Sequence, residues 1–123
     1  MGGDTVKEQC FTVMTLDREL SVRLLLTEQG VVMAITGGDL PHLGAVTIVP
    51  PEGEPYTEQF PGHRDGTVCG RWGTVLAERG LRPAVISCGI HYDGLTSDGL
   101  RLVLAGTDSL LAKSLDWLEC NFL

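Results

Sequence analysis

The chain has 123 residues, 43% of them hydrophobic, a mean hydropathy of +0.13 and a net charge of −7 from 16 acidic against 9 basic side chains. That size and apolar content predict one domain over residues 1–123 and exclude a largely disordered chain. The acidic balance excludes a general nucleic-acid binder, which needs basic patches, and electrostatic attachment to a membrane; an anionic ligand would need a local cluster of donors.

No apolar run reaches the roughly 18–20 residues a spanning helix needs, and the first ten residues are polar rather than signal-like. The four cysteines, Cys10, Cys69, Cys88 and Cys120, show no CxxC pair and no zinc-type spacing. Both features point to a cytoplasmic protein with reduced, mostly buried thiols. So apolar a short chain also has surface for a subunit interface, and a homodimer is expected.

Residues 1–7 read as a loose leader. Residues 9–16 favour a strand, and Asp17-Arg18-Glu19 a tight turn. Leu20, Val22, Leu24 and Leu26 recur at period two with Ser21 and Arg23 opposite, the mark of a half-buried strand. After the link Glu28-Gln29-Gly30, residues 31–36 form a third strand, apolar on both faces. A fourth spans 44–49 and stops at Pro50-Pro51. Short links between these runs predict an antiparallel meander, because parallel neighbours need long crossovers.

Residues 50–62 hold four of the six prolines and read as one long surface loop. From Asp65 to Arg79 the period turns helical, with Val68, Trp72, Val75 and Leu76 on one stripe. Asp65 is the expected N-cap and Gly80 the stop. Gly70 and Gly73 weaken this helix unless they allow close approach to a sheet or a ligand. A fifth strand covers Pro83 to Ile90, its Ala84 to Cys88 stretch apolar enough to be interior. The last helix runs from about Ser97 to Glu119, capped by Thr96 or Ser97, with Leu100, Val103, Leu104, Leu110, Leu111, Leu115 and Leu118 inward and Gly106 a point of kinking. The expected fold is α+β: an antiparallel sheet of about five strands, in chain order β-β-β-β-α-β-α, with two helices packed on it.

All three histidines lie in short motifs rich in Gly, Pro and Asp at element edges: Gly38-Asp39-Leu40-Pro41-His42-Leu43-Gly44, Pro61-Gly62-His63-Arg64-Asp65 and Gly89-Ile90-His91-Tyr92-Asp93. Imidazole binds protons, metals and phosphates near neutral pH, and loops on a rigid scaffold are where binding groups are placed. His91 and Asp93, two apart at a strand end, point to one side if the backbone stays extended. His63 and Arg64 precede a helix, whose free amides and dipole favour a phosphate. The Asp65 carboxylate opposes a phosphate unless it turns toward the helix amides or a cation. No nucleophile stands beside a histidine by local spacing, so no catalytic residue is assigned. Without HxH or HExxH, no metal site is assigned either.

These three motifs, in this order and spacing, resemble the LpdD-like prenylated-flavin chaperone family over roughly residues 8–119. The resemblance implies a fold similar to proteasome assembly chaperones. It also implies a non-catalytic homodimer that binds prenylated FMN and delivers it to an apo UbiD-type decarboxylase. On the matching positions, Asp39, His42, Gly44, His63, Arg64, His91 and Asp93 would form the cofactor-binding set, and Trp72, Phe60 or Tyr92 would lie against the isoalloxazine unless they pack in the core. Two rival readings stay open: a small metal-dependent or acid–base enzyme using His42, His63 and His91, and a ligand-free assembly protein docking through leucines of the final helix.

Overall fold

The computed structural model describes residues 6–122. Residues 1–5 of the expected leader lie outside that span, and Lys7 already opens the first strand. Strands β1 (Lys7–Thr15), β2 (Arg18–Thr27) and β3 (Gly30–Gly38) form an antiparallel meander. Leu16 and Asp17 join the first two at φ of 52° and 61°, the backbone hand that a two-residue hairpin demands. Leu20, Val22, Leu24 and Leu26 of β2 are all buried, as their alternation predicts.

Strand β4 (Ala45–Val49) departs from the meander. The sheet has six strands in the order β1-β2-β3-β6-β4-β5, where β5 is Tyr56–Gln59 and β6 is Ala84–His91. β6 inserts between β3 and β4, parallel to the first and antiparallel to the second. The cause lies in residues 39–44, which do not close a hairpin. The Asp39 and Gly44 amides donate to the carbonyls of His91 (2.7 Å) and Cys88 (2.9 Å), so this segment crosses the end of β6 instead. The long connection a parallel pair requires is supplied by β4, β5 and helix α1 (Gly66–Glu78).

The stretch 50–62, expected as one long loop, carries β5. Its four residues are all exposed and show no apolar alternation. Pairing with β4 makes the strand, from Ala45 opposite Gln59 to Ile48 opposite Tyr56, with a 2.7 Å bond between the Thr47 and Thr57 hydroxyls.

Both helices cover one face of the sheet. α1 lies on β4 and β6, and α2 (Ser97–Asn121) on β1 and β2. α1 buries Cys69, Trp72 and Leu76. A Cβ at Gly73 would stand 2.6 Å from Thr47 Cγ2, so this glycine sets the approach of helix to sheet. Thr96 caps α2 by accepting the Gly99 amide at 3.0 Å. α2 runs unbroken through Gly106. A Cβ there would lie 2.7 Å from both Leu20 Cδ1 and Thr15 Oγ1, so the glycine marks a tight contact, not a kink. Leu100 and Leu104, expected inward, are 46% and 39% exposed.

Among the described residues no helix covers the other sheet face. Leu25, Val32, Val85, Ile48 and Tyr56 stand in one cross-strand row on it. Val32, Ile48 and Tyr56 are exposed.

Two of the four thiols, Cys69 and Cys88, are buried, whereas Cys10 and Cys120 are exposed, against the expectation of mostly buried thiols. Burial pushes both buried thiols up, and the neighbouring Asp65 carboxylate pushes Cys88 further. Because the thiolate is the reacting form, iodoacetamide on native protein is expected to modify Cys10 and Cys120 and spare Cys69 and Cys88 until denaturation. Peptide mass spectrometry checks this, and native modification of Cys88 would contradict it.

Candidate functional site

β3 and β6 run parallel and finish side by side, Gly38 opposite His91. The 39–44 segment, the start of α1 and residues 92–94 meet around that end. Binding sites in open α/β sheets favour this location, beyond the carboxyl ends of strands.

Asp39 latches two of these segments together. Its Oδ1 accepts from Arg18 Nε at 2.7 Å and its Oδ2 from the Asp93 amide at 2.9 Å. The Asp93 amide, and then the Arg18 guanidinium, hold the Asp39 carboxyl below the usual carboxylate range. A lowered folded-state pKa stabilises the fold above the ordinary value and is lost as pH falls through the folded one. The stability gap between wild type and Asp39→Asn is therefore expected to be open at neutral pH and to close on acidification below about pH 4. Urea titrations at several pH values measure it. A gap that widens in acid would contradict the latch.

His91 is half exposed, and its Nε2 pairs with Asp93 Oδ1 at 2.9 Å, the same-side geometry their spacing predicts. His42 and His63 form a separate group. Their rings stack with centroids 4.5 Å apart and planes 29° apart. His42 Nδ1 faces the Leu40 carbonyl at 2.9 Å, and Nε2 faces Asp65 Oδ2 at 3.0 Å. Among the described residues the His63 ring has no hydrogen-bond partner, and neither has exposed Arg64.

Asp65 is where the structure departs most from expectation. It is not a side-chain cap of α1. The Gly66 amide is met instead by Gln59 Oε1 at 2.8 Å. The Asp65 carboxylate is turned inward and buried, with Oδ1 accepting the Ile90 amide at 2.9 Å and Oδ2 against His42. Asp65 thereby ties α1, β6 and the 39–44 segment at one point.

Two glycines make room for this meeting of segments. A Cβ at buried Gly44 would fall on Asp65 Oδ2 and lie 3.0 Å from His42 Nε2, so this glycine keeps open the space that the carboxylate occupies. A Cβ at Gly89 would fall on the His42 carbonyl. Of the aromatics, Trp72 is fully buried, and Tyr92 is buried with its hydroxyl donating to the Thr15 carbonyl at 2.9 Å. Phe60 alone of the three is exposed.

The prenylated flavin chaperone LpdD-like domain matches residues 15–119. The chain belongs to the LpdD-like chaperone family. It is similar to the protein LpdD of Lactiplantibacillus plantarum, 24% identical over 116 residues that span 90% of this chain and 85% of that protein. Among solved structures it is similar to a chain from a chaperone complex for yeast 20S proteasome assembly. That likeness has a TM-score of 0.59 and 17% identity, over 98% of this chain and 100% of the other. It carries the fold alone, a proteasome-assembly-chaperone-like α+β architecture. No helix among the described residues of this family member is long and apolar enough to cross a membrane.

Proposed function

We propose that this LpdD-like chaperone is a non-catalytic carrier: it binds prenylated FMN as cargo and hands it to an apo UbiD-type decarboxylase in the cytoplasm. Family membership supports a chaperone role, and the family's description names the prenylated flavin. One observation carries the assignment of the site. Stacked His42 and His63 stand beside Arg64, unpaired among the described residues, at the start of α1, where the Asp65 carboxylate is turned away from the helix amides.

A phosphate fits that chemistry. Arg64 offers a charged, bidentate donor, and the helix start offers its dipole. His63, with no hydrogen bond to give up among the described residues, turns toward the ligand at little cost. His91, its ring oriented by Asp93, is the further donor this reading takes from the neighbouring segment, while Asp39 and Gly44 hold the frame. Exposed Phe60 offers its ring to the isoalloxazine. Several moderate contacts suit a carrier, which must release what it binds. The apolar row on the sheet face away from the helices supports a homodimer as the working state.

An enzyme built on all three histidines has less support. His91 pairs with Asp93 and lies outside the group formed by His42, His63 and Asp65. Co-expression with a UbiD-type decarboxylase tests the carrier. Wild-type protein is expected to raise the fraction of decarboxylase that is flavin-loaded, and a His63→Ala/Arg64→Ala variant to raise it much less. An unchanged fraction with wild type would sink the proposal.

A further inference from the structure

The His42–Asp65 contact has an unusual hydrogen-bond balance. The Leu40 carbonyl is an acceptor only, so His42 Nδ1 must carry the proton shared with it at 2.9 Å. In a neutral ring, Nε2 is then a bare lone pair. It faces a carboxylate oxygen, another bare acceptor, at 3.0 Å. Two lone pairs at that distance need a positive centre between or beside them. A second proton on the ring is one answer, and a metal cation is the other.

Three further observations favour the cation. Histidines that ligate metals almost always give their other ring N–H to a carbonyl or carboxylate, which fixes the tautomer; the Leu40 carbonyl does this for His42. His63 brings a second imidazole, with no hydrogen-bond partner among the described residues, to the same place, and the ligand atoms of His42, His63 and Asp65 all lie within 4.8 Å of one another. Asp65 is 7% exposed and declines the cap its position offers, which leaves Oδ2 aimed into the cluster and Oδ1 oriented by the Ile90 amide.

We propose that His42, His63 and Asp65 form a site for one divalent transition-metal ion, with coordination positions left for an anionic oxygen donor. Two imidazoles and one carboxylate suit zinc, cobalt or nickel rather than magnesium or calcium, which prefer all-oxygen sets. Metal–ligand bonds of about 2.0–2.2 Å place donor atoms about 3–4 Å apart. The His42–Asp65 pair already meets that spacing. A side-chain rotation of the half-buried His63 ring closes the rest. Three protein ligands leave the fourth tetrahedral position open, and a phosphate oxygen suits it. The three donors come from two segments 21 or more residues apart in the chain, so no local spacing announces them.

The full chain, stripped with a chelator and free of flavin, is titrated with Co²⁺ and then Zn²⁺. Visible d–d absorption and the mass of the native protein are the readouts. One Co²⁺ per chain, displaced by one Zn²⁺, is expected. His63→Ala and Asp65→Asn, checked for fold by circular dichroism, should each weaken binding by more than the roughly 10–100-fold that loss of an outer-shell partner costs. A Cys10→Ser/Cys120→Ser variant should bind as wild type does. The proposal is overturned by absence of stoichiometric binding, by binding that survives His63→Ala and Asp65→Asn unchanged, or by binding lost with the two exposed thiols. No flavin enters this titration, so its failure and failure of the carrier proposal are separate results.

Discussion

Asp65→Ala is expected to lower the stability of the chain by about 2–4 kcal/mol, on the order of 10 °C in melting temperature. The carboxylate is buried and holds two groups. Its Oδ1 accepts the Ile90 amide at 2.9 Å, and its Oδ2 faces His42 at 3.0 Å. Alanine leaves the partly buried Ile90 N–H without its acceptor, and releases the 39–44 segment from the start of α1. Asp65→Asn separates this structural part from the charge. An asparagine Oδ1 still accepts from Ile90, and its Nδ2 donates to the His42 lone pair. That variant is expected to stay within about 1 kcal/mol of wild type. Equilibrium urea unfolding of the three proteins decides it. Alanine as stable as wild type would contradict the hub role of Asp65.

Gly89→Ala is expected to cost about 3 kcal/mol or more, and to disturb the site even in the molecules that fold. The added Cβ would coincide with the His42 carbonyl and stand 3.0 Å from the Leu43 nitrogen. These are backbone atoms, which no rotamer change can move aside. The strain falls on the segment that carries His42, so ligand binding should fall together with stability. Gly62→Ala is the comparison. It meets nothing within 4 Å and suffers only from a φ of +81°, a penalty of roughly 1–2 kcal/mol. If the two variants unfold at the same denaturant concentration, the crossing of residues 39–44 over β6 is not as tight as described.

The elements that read clearly in the sequence are those whose burial follows a period. Leu20, Val22, Leu24 and Leu26 announce β2 because one side of it lies under α2. Trp72 and Leu76 announce α1 for the same reason. β5 gave no such signal. Tyr56 to Gln59 pack no side chain into the core, and only the ladder to β4 makes them a strand. The insertion of β6 between β3 and β4 was equally hidden. A six-residue link reads as a turn until its amides are seen to bond the end of another strand.

The candidate site was legible as three motifs and illegible as an arrangement. The Pro-Gly-His-Arg-Asp run marks the start of α1, but cap preference alone assigns Asp65 to the helix amides. The competing, partly buried amide of Ile90, 25 residues along the chain, is what turns it away. Gly44 was legible as part of a motif; its reason, room for a carboxylate arriving from another segment, was not. The His91–Asp93 pair was legible because both members belong to one extended run.

The most direct test of the carrier proposal is an anaerobic titration of the purified chain with prenylated FMN and, separately, with FMN. Absorbance and native mass spectrometry follow the complex. The account predicts selective binding of the prenylated form at one site per chain or per dimer, weakened by His63→Ala and Arg64→Ala with the fold intact. Binding of neither flavin, by protein whose fold is verified, would contradict it.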